Sequence, residues 1–327
     1  MLLAWTAVIG GLVLLVWSAD RFVIGASATA NNLGVPPLII GMIIMGFGTS
    51  APELFISVVA ALGDNSSLAV GNAIGSNIAN IALVLGLAAV ITPMTVQSRI
   101  LRREFPALLI ITLLTYALLL DGDLGRMDGL ILFGGTFVLL GWMLWLTRQA
   151  KASDPMQQEI EEQLSRRMTT ARALMWTLLG LVLLITSSRL LVWGAVDIAH
   201  AFGVSDLVIG LTIIAIGTSL PEAAVSIAAA LKAEHDMVIG NIIGSNMFNL
   251  LTVLGIAGMI RATPLEATVL RRDFPVMLLL TLALFLMARG RHGSNGKINR
   301  LEGTLLILTY AGYLYWLFVS EIKLTTS

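Results

Sequence analysis

Residues 2–19 read LLAWTAVIGGLVLLVWSA without one charge, and runs of that kind recur along the whole chain. About 20 apolar residues in a helix cross the ~30 Å of hydrocarbon in a bilayer, where the backbone can satisfy its own hydrogen bonds only as a helix or a closed barrel. Hydrophobic runs fall at approximately 2–33, 36–62, 68–91, 103–120, 127–147, 173–202, 206–231, 237–260, 273–288 and 301–320. The composition agrees, with 57% of residues hydrophobic and 12% charged, against about 25% charged in a soluble domain. The expected fold is an all-α polytopic membrane protein with ten transmembrane helices. The first run has no basic stretch before it and is too long for a signal-peptide core, so it counts as the first span.

The same inventory removes several classes of function. Lys plus Arg equals Asp plus Glu at 20 each, so overall charge favours neither nucleic acid nor an acidic partner. There is no cysteine, and His200, His235 and His292 are widely scattered, which leaves no thiolate or histidine metal set. No GxxxxGK[ST] loop supports an ATP-driven pump. A serine nucleophile would lack a base, because the four spans 36–62, 68–91, 206–231 and 237–260 contain no Lys, Arg or His. The chain is therefore expected not to be an enzyme, to carry no cofactor, and to need no obligate protein partner beyond the lipid bilayer.

The chain repeats itself. GTSAPE at 48–53 returns as GTSLPE at 217–222, GNAIGSNIAN at 71–80 as GNIIGSNMFN at 240–249, and LRREFP at 101–106 as LRRDFP at 270–275, all at one offset of 169 residues. A constant offset over three motifs marks a duplication. Residues 1–147 form one half, 173–327 the other, and the polar stretch 148–172 joins them. Five crossings per half make the second copy enter from the opposite side, giving two inverted five-helix repeats. With the linker assigned to one face, that face collects about thirteen Lys and Arg and the other about five, which puts the linker in the cytoplasm and both termini outside. A bacterial or archaeal cytoplasmic membrane suits this compact organisation.

Within the repeats, Pro52 has no N–H for the carbonyl of Gly48, and Gly46 and Gly48 ease bending, so the second span should break near residues 46–50. Four-residue spacing puts Thr49 and Glu53 on one face, and likewise Thr218 and Glu222, Ser76 and Asn80, Ser245 and Asn249. The result is a set of converging oxygens around two carboxylates with no basic partner on those spans. An isolated ionised carboxylate in hydrocarbon is costly by several kcal/mol, so each must be protonated, hydrated or paired with a cation drawn from solution. Hard oxygen ligands suit Ca²⁺ and Na⁺, and two carboxylates balance one divalent ion or two monovalent ones. The plainer alternative is a protonated carboxyl hydrogen-bonded to a neighbouring helix.

The paired GTSxPE and GNxxGSNxxN motifs resemble the two alpha-repeats of the sodium/calcium exchanger family, within the cation/calcium antiporter superfamily. The resemblance spans nearly the whole membrane region. It implies a prokaryotic-type antiporter exchanging Ca²⁺ for Na⁺ by alternating access, with spans 2, 3, 7 and 8 as the ion-binding core and the long spans 1 and 6 sliding past it. It implies Glu53 and Glu222 as central carboxylates and the carbonyls of Thr49 and Thr218 at the Ca²⁺ position. Ser50, Ser219, Ser76, Ser245, Asn80 and Asn249 then complete the flanking Na⁺ sites. Some exchangers carry an aspartate at one of the last two positions, and here both are asparagine. That leaves H⁺ or K⁺ open as the counter-ion, and a cation channel as the rival mode.

Other polar residues have simpler readings. Asn72, Asn77, Asn241 and Asn246 face elsewhere on their helices and are expected in packing or helix-to-helix hydrogen bonds. Asp20, Arg21, Arg189 and Asp197 are gating elements or snorkelling charges at the interface. Arg102 with Arg103, Arg271 with Arg272, and the aromatics Trp142, Trp145, Tyr313 and Trp316 are expected as interface anchors.

Overall fold

A computed structural model of the chain describes residues 1–63, 66–96, 98–151, 168–203, 215–289 and 296–326. Most of the expected linker and the first part of the seventh expected span lie outside the described residues. The helices are α1 (Leu2–Leu33), α2 (Leu38–Thr49), α3 (Ala51–Leu62), α4 (Ser67–Ile91), α5 (Ser98–Leu118) and α6 (Arg126–Lys151). In the second half they are α7 (Thr170–Ala201), α8 (Ala215–Thr218), α9 (Leu220–Leu231), α10 (His235–Ile260), α11 (Phe274–Met287) and α12 (Arg300–Thr326). Four short strands lie in connections: β1 (Met94–Val96), β2 (Asp123–Leu124), β3 (Thr263–Pro264) and β4 (Gly296–Ile298). Among the described residues, six helices (α1, α4, α6, α7, α10 and α12) are individually long and apolar enough to cross a bilayer, and the bent pair α2 and α3 makes a seventh. The fold is an all-α, multi-pass membrane protein.

Burial separates an interior from a wall. In the apolar windows of α4 and α10, 72% and 89% of residues are buried, against 33% or less in α1, α6, α7 and α12. The wall helices present Ile9, Val16, Leu178 and Val182 outward as an exposed apolar surface. The interior helices are packed on most sides, with Ile74, Ile78, Ile242, Ile243 and Met247 buried beside the Gly, Ala, Ser and Asn of the motifs. Both contain a wider π-helical stretch, Asn80–Leu85 in α4 and Asn249–Val253 in α10, beginning at equivalent positions of the two repeats.

Contacts between the halves come in pairs with the roles exchanged. α1 and α7 run antiparallel, and a Cβ on Gly25 would lie 2.6 Å from the nitrogen of Thr177 and 2.9 Å from the carbonyl of Ala173. One on Gly194 would lie 2.7 Å from the carbonyl of Ala4 and 3.0 Å from Val8. Ala4, Val8 and Gly25 stand 169 positions before Ala173, Thr177 and Gly194, so this is one contact made twice. The strands obey the same rule: β1 pairs with β4, Met94 opposite Ile298, and β2 with β3, Leu124 opposite Thr263. They expose a fourth repeat, GDLGRMDG at 122–129 and GKINRLEG at 296–303, offset by 174 residues. In each copy an acid in the first turn caps the residue before the helix, Gly125 N–H donating to Asp128 Oδ2 and Asn299 N–H to Glu302 Oε2, both at 2.8 Å, and in the second copy Glu302 N–H donates back to Asn299 Oδ1 at 3.0 Å.

Two of the expected interface residues behave otherwise. Arg272 and Asp273 are buried as an ion pair with Nε to Oδ1 at 2.7 Å, joined by Ser320 at 2.7 Å and by the Tyr313 hydroxyl, which donates to Asp273 Oδ1 at 3.0 Å. Arg272 and Tyr313 are therefore internal ties between α12 and the π-helical segment Val269–Asp273 that runs into α11, because the neighbouring Asp273 gives the arginine a partner that an exposed anchor lacks. Trp145 and Trp316 are exposed as anchors should be. Of the charges on the wall helices, Asp20 pairs with Lys232 at 2.6 Å, while Arg21 lies over the rings of Trp17 and Trp176 and Arg189 over Phe55.

Candidate ion-binding site

The two proline motifs set the geometry. Pro52 and Pro221 fall in the first turn of α3 and α9, where a helix has no use for the missing N–H. The residue ahead of each helix leaves helical geometry in the same way, Ser50 at φ −79° and ψ 8°, Ser219 at φ −87° and ψ 4°. α2 and α3 bend by 40° there, at the end of the interval expected from sequence, with a π-helical turn at Gly41–Gly46 just before. Glu53 and Glu222 are thereby placed in the first turn of a helix, beside unsatisfied backbone N–H groups and the positive end of the helix dipole. Both are buried.

The two motifs meet across the halves, where Ser50 Oγ donates to Glu222 Oε1 at 3.1 Å. Thr49 is buried beside them with Oγ1 donating to the carbonyl of Met45 at 2.8 Å, and Ser245 Oγ donates to the carbonyl of Gly46 at 3.1 Å. Thr218, Ser219 and Ser76 are buried too. The structure thus brings the candidates into one interior region around the two helix breaks. Asn72 Nδ2 donates to the backbone carbonyl of Glu53 at 3.1 Å and to Ser57 Oγ at 3.0 Å, and Asn241 Nδ2 to the carbonyl of Glu222 at 3.4 Å and Ser226 Oγ at 2.9 Å. These are the helix-to-helix bonds expected of the non-site asparagines. One tie was not anticipated: the carbonyl of Gly217, which Pro221 leaves without its helical donor, accepts from Ser188 Oγ of α7 at 3.1 Å. The proline signals the freed carbonyl, but helical spacing gives no hint of who takes it.

What the centre lacks decides its chemistry. Glu53 Oε2, Glu222 Oε2, Asn80 Oδ1, Asn249 Oδ1 and Ser219 Oγ are buried with no hydrogen-bond partner. Leaving one such group unsatisfied costs about 1–3 kcal/mol, and more for a charge. Four of the five can only accept, and they form two pairs related by the repeat. Among the described residues no Lys, Arg or His bonds to either glutamate, and no three His, Cys, Asp or Glu gather into a resident metal cluster. Two carboxylates with neutral oxygens around them suit a hard cation.

Long apolar helices around a buried, acceptor-rich centre define a class, the multi-pass integral membrane proteins. The sodium/calcium exchanger protein model matches residues 3–145 and 172–319. CaxA of Alkalimonas amylolytica is 49% identical over 320 residues, covering 98% of this chain and 100% of that protein. The inner membrane protein YrbG of Escherichia coli is 41% identical over 322 residues, covering 97% of this chain and 98% of its own. The solved structure of the sodium-calcium exchanger NCX_Mj soaked with zero Na⁺ and Ca²⁺ superposes with a TM-score of 0.83 at 32% identity, over 97% of this chain and 99% of that one. The chain belongs to the sodium/calcium exchanger family, in its prokaryotic form, a family of antiporters and not of enzymes.

Proposed function

We propose that this protein is a secondary antiporter that exchanges Ca²⁺ for Na⁺ across a bacterial or archaeal cytoplasmic membrane by alternating access. Ten transmembrane helices in two inverted five-helix repeats carry the exchange, residues 1–147 and 173–327, with a cytoplasmic linker at 148–172 and both termini outside. Glu53 and Glu222 bind the transported ion. The carbonyls of Thr49 and Thr218 join them at the Ca²⁺ position, and Ser50, Ser219, Ser76, Ser245, Asn80 and Asn249 complete the Na⁺ sites. No cofactor and no obligate protein partner take part. The observation that carries this reading is the symmetric set of buried acceptor oxygens on Glu53, Glu222, Asn80 and Asn249 that no protein group satisfies. Such a centre is costly to reorient empty, because bare carboxylates would cross the low-dielectric core, and far less costly when one Ca²⁺ or an equivalent load of Na⁺ fills it. Exchange follows from that difference.

The test is ⁴⁵Ca²⁺ uptake into proteoliposomes with Na⁺, K⁺ or H⁺ gradients imposed one at a time. Uptake driven by the Na⁺ gradient is expected, and Glu53→Gln or Glu222→Gln should reduce it to the background of empty liposomes while the protein still folds and inserts. Robust Na⁺-driven uptake by either variant defeats the assignment. The neutrality of both Asn80 and Asn249 favours one second reading, coupling to H⁺ or K⁺, which the separate gradients would reveal. Ca²⁺ flux that needs no trans cation would identify a channel.

A further inference from the structure

Asn80 and Asn249 offer a cation an amide, and an amide has two ends. Turned one way it presents an oxygen, which attracts a cation. Turned the other way it presents an NH₂ group, which repels one. The neighbouring asparagines fix the choice. Asn77 Nδ2 donates to the backbone carbonyl of Asn246 at 3.2 Å, and Asn246 Nδ2 to the backbone carbonyl of Asn77 at 3.5 Å. A carbonyl can only accept, so each of these side chains must turn its nitrogen to the opposite backbone. Their oxygens then face the site asparagines and demand donors. Asn80 Nδ2 donates to Asn246 Oδ1 and Asn249 Nδ2 to Asn77 Oδ1, both at 3.1 Å. Once its nitrogen is held, each site asparagine must turn Oδ1 the other way, and there both oxygens are buried with no protein donor. The order of these bonds, from backbone to inner amide to outer amide, leaves no freedom for either end to flip.

We propose that Asn77 and Asn246 are positioning residues for ion selectivity, each holding the site asparagine of the opposite half with its carbonyl oxygen toward the transported cation. The proposal rests on reading the centre as a cation site. Each half thus orients a ligand contributed by the other. At the flanking positions neutral oxygen is most of what a monovalent ion receives, so the effect falls on Na⁺ more than on Ca²⁺, which the two carboxylates hold directly.

The experiment uses purified full-length protein and reads apparent Na⁺ and Ca²⁺ affinities from the rise in unfolding temperature as each chloride salt is titrated. Asn246→Leu removes both the donor and the acceptor while keeping the branched shape of the side chain. It is expected to raise the apparent Na⁺ dissociation constant about tenfold, with a smaller change for Ca²⁺. The same substitution is then made in an Asn80→Asp background, where residue 80 has two like oxygens and orientation no longer matters. There it should cost little or nothing, since it also removes an oxygen facing the new carboxylate. Should Asn246→Leu not fold, Asn246→Ser is compared across the same two backgrounds. Equal weakening of Na⁺ binding in both backgrounds, or none in the first, overturns the proposal and makes Asn246 a packing residue. A wild-type protein that neither ion stabilises overturns the cation-site reading and this one with it.

Discussion

Glu53 and Glu222 each keep one buried oxygen with no donor, and a proton could serve that oxygen as well as a metal ion. Competition has a definite sign. Lowering pH loads protons onto carboxylates that must be ionised to hold a cation, so transport should fall from about pH 8 to about pH 5 and recover as pH rises again. Rates unchanged across that range would argue against the two glutamates as ligands. The identity of these residues was open to reading from sequence, because four-residue spacing puts Thr49 with Glu53 and Ser76 with Asn80, and because no base lies on the same spans. The orientation of the amides was not. Asn77 follows Ser76 directly and faces away from it along its own helix, and only the approach of α10 shows that it meets Asn249. Side-chain bonds between segments distant in sequence leave no periodic trace.

Proline and glycine announce the helix breaks, and the structure puts them at Ser50 and Ser219, but the π-helical stretches at Asn80 and Asn249 carry no composition signal. The crossing of α1 and α7 gives a sharp test at neighbouring positions. A Cβ on Gly11 would lie 2.9 Å from the nitrogen of Leu191, whereas Gly10 is exposed and has nothing within 4 Å. Gly11→Leu should therefore destabilise by about 1–3 kcal/mol or more, since the obstruction is backbone, while Gly10→Leu should be tolerated. Thermal unfolding in detergent checks both. Charged ties rank by burial in the same assay. Asp273→Ala removes a buried carboxylate that holds both the Arg272 guanidinium and the Tyr313 hydroxyl, at a cost of about 3–5 kcal/mol. Lys232→Ala breaks a pair whose side chains are 31% and 42% exposed and should cost no more than about 1 kcal/mol. Sequence hides this contrast, because both basic residues sit at the end of an apolar run.

Seen whole, contacts between the halves come in pairs, as Gly25 with Thr177 and Gly194 with Val8 show, at the offset that the motifs share. What the offset could not give was which parts of the halves touch. The pairing of β1 with β4 and β2 with β3 went unread because the second half is five residues longer at that point, which shifts the repeat out of register. The strands have a further consequence for how such a chain is made. β1 is synthesised before a third of the chain is complete, yet its partner β4 emerges only near the end. Until then the first strand must wait with an open edge, so translation has to run almost to completion before these two strands can join.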